Sequence, residues 1–372
     1  RERFLGLGGH EEEWGMAFNM TVLALRMSGL ANGVSKLHGE VSRDMWQEVW
    51  PGKTAQEVPI DSITNGIHVP TWISSEMGQL FGRYIGKDWV NSQDDQMMWE
   101  KLADLPDKEL WEMHMHLKRK LLSYVQGRVR RRWIDGRNAP TQVLTGGTLL
   151  DPSALTIGFA RRFATYKRAT LIFRDLERLQ RIILDSHRPV QIIFAGKAHP
   201  ADDPGKSLIQ HIYNLAKHNQ MGGRVAFIED YDMHIGRYLK QGVDVWLNNP
   251  RRPREASGTS GMKASLNGVP NLSILDGWWV EAYNGANGWA IGEDREFNSH
   301  EEQDNFDANS LYTLIEDEIV PLYYDRDRDD IPRGWVAIMR EAIRSNSAFF
   351  SMRRMVKDYT TKMYVPAMKG EA

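Results

Sequence analysis

Between residues 155 and 291 short runs that are apolar at nearly every position alternate with stretches of helical period. The β-rich runs are 155–160, 190–195, 224–228, 243–247, 270–274 and 289–291. Helices are predicted between them at 168–185, 206–217, 234–241 and 259–266. Alternating strand and helix implies right-handed crossovers and a parallel sheet with helices on both faces, a Rossmann-like α/β fold. Ligands of such sheets sit beyond the carboxyl ends of the strands, so the segments just after the strands are where chemistry belongs.

Outside this region the pattern is helical. A helix is predicted at 16–33, ending at Asn32-Gly33, and another at 42–50, stopped by Pro51-Gly52. Residues 60–70 read as a loop with a tight turn at Asn65-Gly66. Two charged helices broken near Pro106 fill 94–133, and the texture changes after Arg137. Helical period returns at Glu301, with Pro332-Arg333-Gly334 separating two helices and a last helix at 347–363. No internal repeat or low-complexity tract interrupts the chain.

Composition narrows the function classes. The 372 residues carry 41% hydrophobic and 26% charged side chains with a net charge of −2. That describes a globular protein of about two to three domains, with nothing that selects a nucleic acid or a membrane surface. The basic run 128–132 reads as a solvated helix face. Without cysteine there are neither disulfides nor thiolate metal sites, which suits a reducing, cytoplasmic setting. No apolar run approaches the ~20 residues of a membrane helix, and no signal peptide is visible. The chain opens at Arg1 on RERFLGLGGHEEEWG, and a piece of a longer protein is expected. The thirteen tryptophans serve either core packing or sugar stacking.

Three segments could carry chemistry. GFARRFATYKR delivers Arg161, Arg162, Lys167 and Arg168 just after a strand, which makes either an oxyanion pocket or a solvated basic loop. EASGTSGMK places small residues before a helix, where exposed N–H groups could receive an anion, with Lys263 just inside. It is not a Walker A loop, because Lys263 does not directly follow the glycine. A lysine there is either an ordinary surface residue or an amine able to form a Schiff base with a phosphate-bearing aldehyde. The third segment, Thr64-Asn65-Gly66-Ile67, is either a plain turn or a sugar-hydroxyl contact through Asn65. His38 and Glu40, two residues apart, share no helix face, and no metal is assigned.

The strings NGVSKLHGE, ITNGIHVPTW, LDPSALTIGFARRFATYKR, FAGKAHP, RVAFIEDYD, EASGTSGMKASLNG and LDG follow one another in this order. Together, from about residue 19 to residue 291, they resemble the glycogen and starch phosphorylase family. The resemblance implies the C-terminal half of an α-glucan phosphorylase with a GT-B architecture of two Rossmann-like domains. Residues 1–72 would be the tail of the glucan-binding domain, 73–137 a helical lead-in, 138–330 the catalytic domain and 331–372 the C-terminal helices. Lys263 matches the lysine that holds pyridoxal 5′-phosphate. Gly258, Thr259 and Arg161 match positions around that cofactor's phosphate, Arg161 standing where lysine is usual. Trp72 and Tyr231 match residues lining the cofactor pocket. Arg162 and Lys167 match the pair that holds substrate phosphate, and Glu255, Ser257 and Asn65 match contacts to the glucose.

The resemblance further implies retaining phosphorolysis of α-1,4-glucans by inorganic phosphate, with homodimers typical of the whole enzymes. The cationic cluster would offset repulsion between two phosphates, whose second pKa of about 6 suits proton transfer at neutral pH. Glycosidase-type paired carboxylates are not expected. The sequence departs from the best-known members at FAT (163–165) and at SGM before Lys263, which leaves substrate preference open. Two alternatives remain at this level. A nucleotide-sugar glucosyltransferase resembling glycogen synthase would commonly carry a second Glu where Lys263 stands, and an incomplete piece could bind phosphate or glucan without turnover.

Overall fold

The computed structural model describes residues 2–12, 15–136, 140–217, 221, 223–295 and 297–370. Two small ribbons lie near the N-terminus: β1 (Gly9–Glu12) runs antiparallel to β2 (Gly15–Phe18), and β3 (Ala31–Gly33) runs parallel to β4 (Ile60–Ser62). The centre is a six-stranded sheet of β5 (Leu155–Ala160), β6 (Val190–Ala195), β7 (Val225–Ile228), β8 (Val245–Asn248), β9 (Asn271–Ile274) and β10 (Gly288–Ile291). Its strands are all parallel, in the order β10-β9-β8-β5-β6-β7. The expected α/β class and parallel sheet are both present.

Every residue of β5 and β6 is buried, because both faces of the sheet are covered. Leu155, Ile157, Phe159, Ile192 and Phe194 join one apolar cluster with Leu179 and Ile183 of the Leu176–Ile183 helix and Ile212 of the Asp203–Lys217 helix. Ala160, Ile193, Ala195 and Trp246 join a second with Ile235 and Leu239 of the Met233–Gly242 helix and Leu121 of the long Asp107–Ile134 helix. Among the described residues Trp89, Trp99, Trp111, Trp246, Trp278, Trp279, Trp289 and Trp335 are buried in the core. No helix among the described residues is long and apolar enough to cross a membrane.

Outside the sheet several expected elements are redrawn. The helix predicted at 16–33 is β2, a shorter Met20–Met27 helix and β3, because Asn19 accepts the N–H groups of Thr21 and Val22 as an N-cap and so fixes the start. The helix predicted at 42–50 begins earlier, as Lys36–Met45, because Ser35 caps it through the N–H of His38, and only a short 3-10 turn, Gln47–Val49, follows. Asn65-Gly66 is not a turn. The chain runs through it without turning back, since the Asn65 N–H donates to the Val34 carbonyl and Ile67 pairs with the C-terminal segment through Phe350 and Met352.

Arg168, predicted to open a helix at 168–185, sits at φ 47°. Its guanidinium is drawn to the carbonyls of Asn249 and Pro250, and the helix waits for the Asp175 cap and runs Leu176–Ile183. The break near Pro106 is present, ahead of Asp107–Ile134. Arg333–Asn346 begins directly after Pro332, while the helix predicted at 347–363 starts later, as Met352–Tyr359, behind a Ser351 cap. The texture change at Arg137 lies outside the described residues.

Candidate active site

Strand order reverses between β5 and β8, since successive strands go to one side of β5 and later ones to the other. The crevice beyond the carboxyl ends of this pair is where a parallel sheet receives ligands. The loop leaving β5 and the loop leaving β8 meet there, joined by the Arg251 N–H donating to the Tyr166 carbonyl at 2.7 Å. Arg168 locks them from beneath, donating to the carbonyls of Asn249 and Pro250 at 2.9 Å each and pairing with Asp304 and Asp307. Of the four cations in the basic turn, Arg168 is therefore a structural clamp and Arg162 is exposed.

The other two converge. Arg161 Nη2 and Lys167 Nζ both donate to Glu255 Oε2, at 2.6 and 2.7 Å. All three side chains are largely buried, which strengthens charge-assisted bonds and makes unpaired charge costly. Burial alone would raise the Glu255 carboxyl, but Arg161 and Lys167 hold it below its usual value. Arg161 Nη1 and Ser257 Oγ are buried without a partner among the described residues. Two such orphaned polar atoms, one on a residue paired with Glu255 and one two residues beyond it, are what a site built for a polar ligand leaves open.

Gly258, at φ 82°, takes the left-handed conformation ahead of the Thr259–Ser265 helix. With seven residues this helix contributes the exposed amides of its first turn more than a macrodipole. Lys263 lies within it, its Nζ 4.1 Å from the centre of the Trp72 ring, and burial lowers its amine from the ordinary lysine value. Asn267 fixes both partners, its Nδ2 donating to the carbonyls of Trp72 (3.0 Å) and Lys263 (2.9 Å). Tyr231, after β7, points its hydroxyl at Lys240 Nζ, 3.2 Å away.

The N-terminal segment closes one side. Ser35 Oγ donates to the Ala256 carbonyl at 2.7 Å, between Glu255 and Ser257. The Val34 carbonyl accepts the Asn65 N–H, which brings Asn65 to the same rim. Thr64 and the Lys36 N–H are both tied to Glu281. Among the described residues no cluster of His, Cys, Asp or Glu could hold a metal.

Three residues at the site carried no sequence signal that singled them out. Ser35 looks like any helix cap. Asp276, whose carboxylate accepts the N–H groups of Glu255 (2.9 Å) and Gly277 (2.8 Å), sits in an LDG string that alone reads as a turn. Lys240 lies in an amphipathic helix, where lysine normally faces water.

The chain matches the family described as carbohydrate phosphorylase over residues 9–312. It is 49% identical over 370 residues to a glycogen phosphorylase from Aquifex aeolicus, covering 100% of this chain and 53% of that protein. It is 46% identical over 369 residues to a maltodextrin phosphorylase from Thermococcus litoralis, covering 99% of this chain and 43% of that one. Against a glycogen phosphorylase from Mycobacterium tuberculosis the identity is 43% over 369 residues, with 99% and 42% covered. The chain thus spans about half the length of the curated relatives it matches.

Proposed function

The chain belongs to the carbohydrate phosphorylase family, and from that premise we propose that it is the cofactor-bearing half of an enzyme that cleaves α-1,4-glucans with inorganic phosphate. The product is glucose 1-phosphate with retained configuration. The observation that carries this reading is the meeting of Arg161 and Lys167 on Glu255 in the same crevice as Lys263 over Trp72.

Pyridoxal 5′-phosphate fits these residues. Lys263 would tether it, Trp72 and Tyr231 would line its ring, and Arg161 with the amides of Gly258 and Thr259 would receive its phosphate. The unpartnered Arg161 Nη1 supports that fit. When bound, the group supplies a second phosphoryl anion able to exchange a proton with inorganic phosphate.

This chain's own side chains do the rest. Lys167 and the exposed Arg162 hold inorganic phosphate, and Lys167 then shares its charge between that anion and Glu255. Glu255, Ser257 and Asn65 bind hydroxyls of the terminal glucose. Overall, the glycosidic C1–O bond breaks, a C1–O bond to phosphate forms, and the departing oxygen takes a proton from that phosphate. The cations lower the barrier by offsetting repulsion between neighbouring phosphates. The remaining half of the protein would add sugar contacts, and pairing into a homodimer belongs to the whole molecule.

Incubating the protein with pyridoxal 5′-phosphate and then borohydride labels Lys263, read by peptide mass. The parent protein given maltodextrin and phosphate releases glucose 1-phosphate, and Lys263→Ala does not. A label on other lysines, or turnover of ADP-glucose in its place, overturns the reading.

A further inference from the structure

The Met233–Gly242 helix holds a lysine that the proposed reaction leaves unused. Lys240 is only 3% exposed. Its acceptors among the described residues are the Tyr231 hydroxyl and the Gly236 carbonyl, each at 3.2 Å, and neither carries a negative charge. An ammonium has three N–H donors, so one is left over. Three aromatic faces enclose it, with ring centres 5.5 Å (Trp72), 5.8 Å (Tyr231) and 4.9 Å (Trp246) from Nζ. An aromatic cage accepts a cation but does not neutralise it, and a buried charge without a counter-ion is costly.

Its neighbours add to the imbalance. Lys263 Nζ lies over the same Trp72 ring, and Arg161 has a buried Nη1 with no partner. Burial first, then Lys263 and Arg161, pushes the Lys240 amine down to about 7. The other titratable group against it, the Tyr231 phenol, is raised by burial and stays neutral. Glu255, the carboxylate that Arg161 meets, is already shared by Arg161 and Lys167. Positive charge is therefore in excess around Lys240, with donors unfilled.

We propose that Lys240 is a phosphoryl-binding residue of the cofactor pocket, its ammonium joining Arg161 to take the charge of the phosphate on an aldehyde tethered at Lys263. This rests on the cofactor reading above. The arriving dianion supplies the counter-charge that the cage lacks and holds Lys240 protonated. Lys240 thus takes up a proton as the cofactor loads. Gly236 keeps the cage open: a Cβ there would lie 2.7 Å from the Tyr231 hydroxyl and 3.4 Å from Lys240 Nζ.

The test uses Lys240→Met, which keeps the bulk of the stem and removes the charge. Binding of pyridoxal 5′-phosphate and of pyridoxal, which lacks the phosphate, is followed by absorbance. In the variant the dissociation constant for the phosphate form rises about ten- to hundredfold, while that for pyridoxal moves less than about twofold. Thermal unfolding without ligand stays level or improves. Calorimetry at pH 8 in buffers of different ionisation heat finds more proton uptake for the native protein than for the variant. Gly236→Ala, which disturbs the cage without removing charge, gives an intermediate loss.

Equal affinity of Lys240→Met and the native protein for the phosphate form overturns the proposal, as does an equal loss of both ligands. In either case a borohydride label still on Lys263 leaves the cofactor reading standing. Absence of that label from the native protein removes both.

Discussion

At the scale of single residues the site is governed by which charges have partners. Asp276 receives two backbone N–H groups, yet burial outweighs them and pushes its carboxyl up to about 6. The nearby Glu255 carboxylate adds to the rise. The folded protein therefore binds a proton at this residue that the unfolded chain has released. Its contribution to stability is complete below pH ~4 and falls away as pH rises toward ~6, by about 3 kcal/mol. Asp276→Asn removes that slope, as urea unfolding midpoints at pH 4.5 and 7 will show. On the proposed function, the same variant also shifts the pH profile of glucan binding, because Asp276 accepts the Glu255 N–H. Lys263, Arg161 and Glu255 lie in segments that the sequence singles out, and the structure brings Arg161 onto Glu255 and Lys263 over Trp72. Asp276 and Lys240 do not stand out in the sequence, because their significance comes from what surrounds them.

Among the elements, the helix at Lys36–Met45 ties secondary structure to the site. Ser35 accepts the His38 N–H at 3.1 Å and donates to the Ala256 carbonyl at 2.7 Å, so one hydroxyl both starts the helix and fixes the loop between Glu255 and Ser257. Ser35→Ala loses a cap worth about 1 kcal/mol and frees that carbonyl. The expected result is a destabilisation of about 1–2 kcal/mol in urea and, on the proposed function, weaker glucan binding, whereas Ser35→Thr keeps most of both. Strands were placed almost to the residue, because runs buried on both faces leave no ambiguity of period. The sheet's helices predicted at 206–217, 234–241 and 259–266 fall close to Asp203–Lys217, Met233–Gly242 and Thr259–Ser265, whereas the one at 168–185 and those of the N-terminal segment went astray by several residues. Their ends are set by caps such as Asn19, Ser35 and Asp175, and many such residues in a sequence cap nothing.

Across the whole molecule the two ends of the sheet divide the work. At the amino ends of β5 and β8, Asp244 is fully buried between Lys118 and His114 of the long helix. It also accepts the Thr156 N–H at 2.7 Å, and Lys118 donates to the Ala154 carbonyl (2.7 Å) and the Tyr323 hydroxyl (2.9 Å). This network fastens the long helix to the sheet while the carboxyl ends remain free for chemistry. Removing one partner strands a buried charge, so Lys118→Met and Asp244→Asn each cost about 3–5 kcal/mol. The double variant costs less than the sum by at least about 1 kcal/mol. A double-mutant cycle in urea measures this, and full additivity would show that the pair does not act as a unit.

Taken alone, the sequence determined the fold class, the six strands and the strand-end segments that meet at the crevice. Apolar period and strand-end position are local properties, written in consecutive residues. The tertiary structure decided which of those residues meet. Arg168 became a clamp and Arg161 a pocket residue although both lie in one basic turn, since the left-handed bend at Arg168 aims it at Asn249 and Pro250. Lys240 and Trp72, far apart in the chain, came to share a cage with Lys263. Charge balance depends on distance in space and on exclusion of water, and both exist only once the sheet and its helices have closed around the crevice.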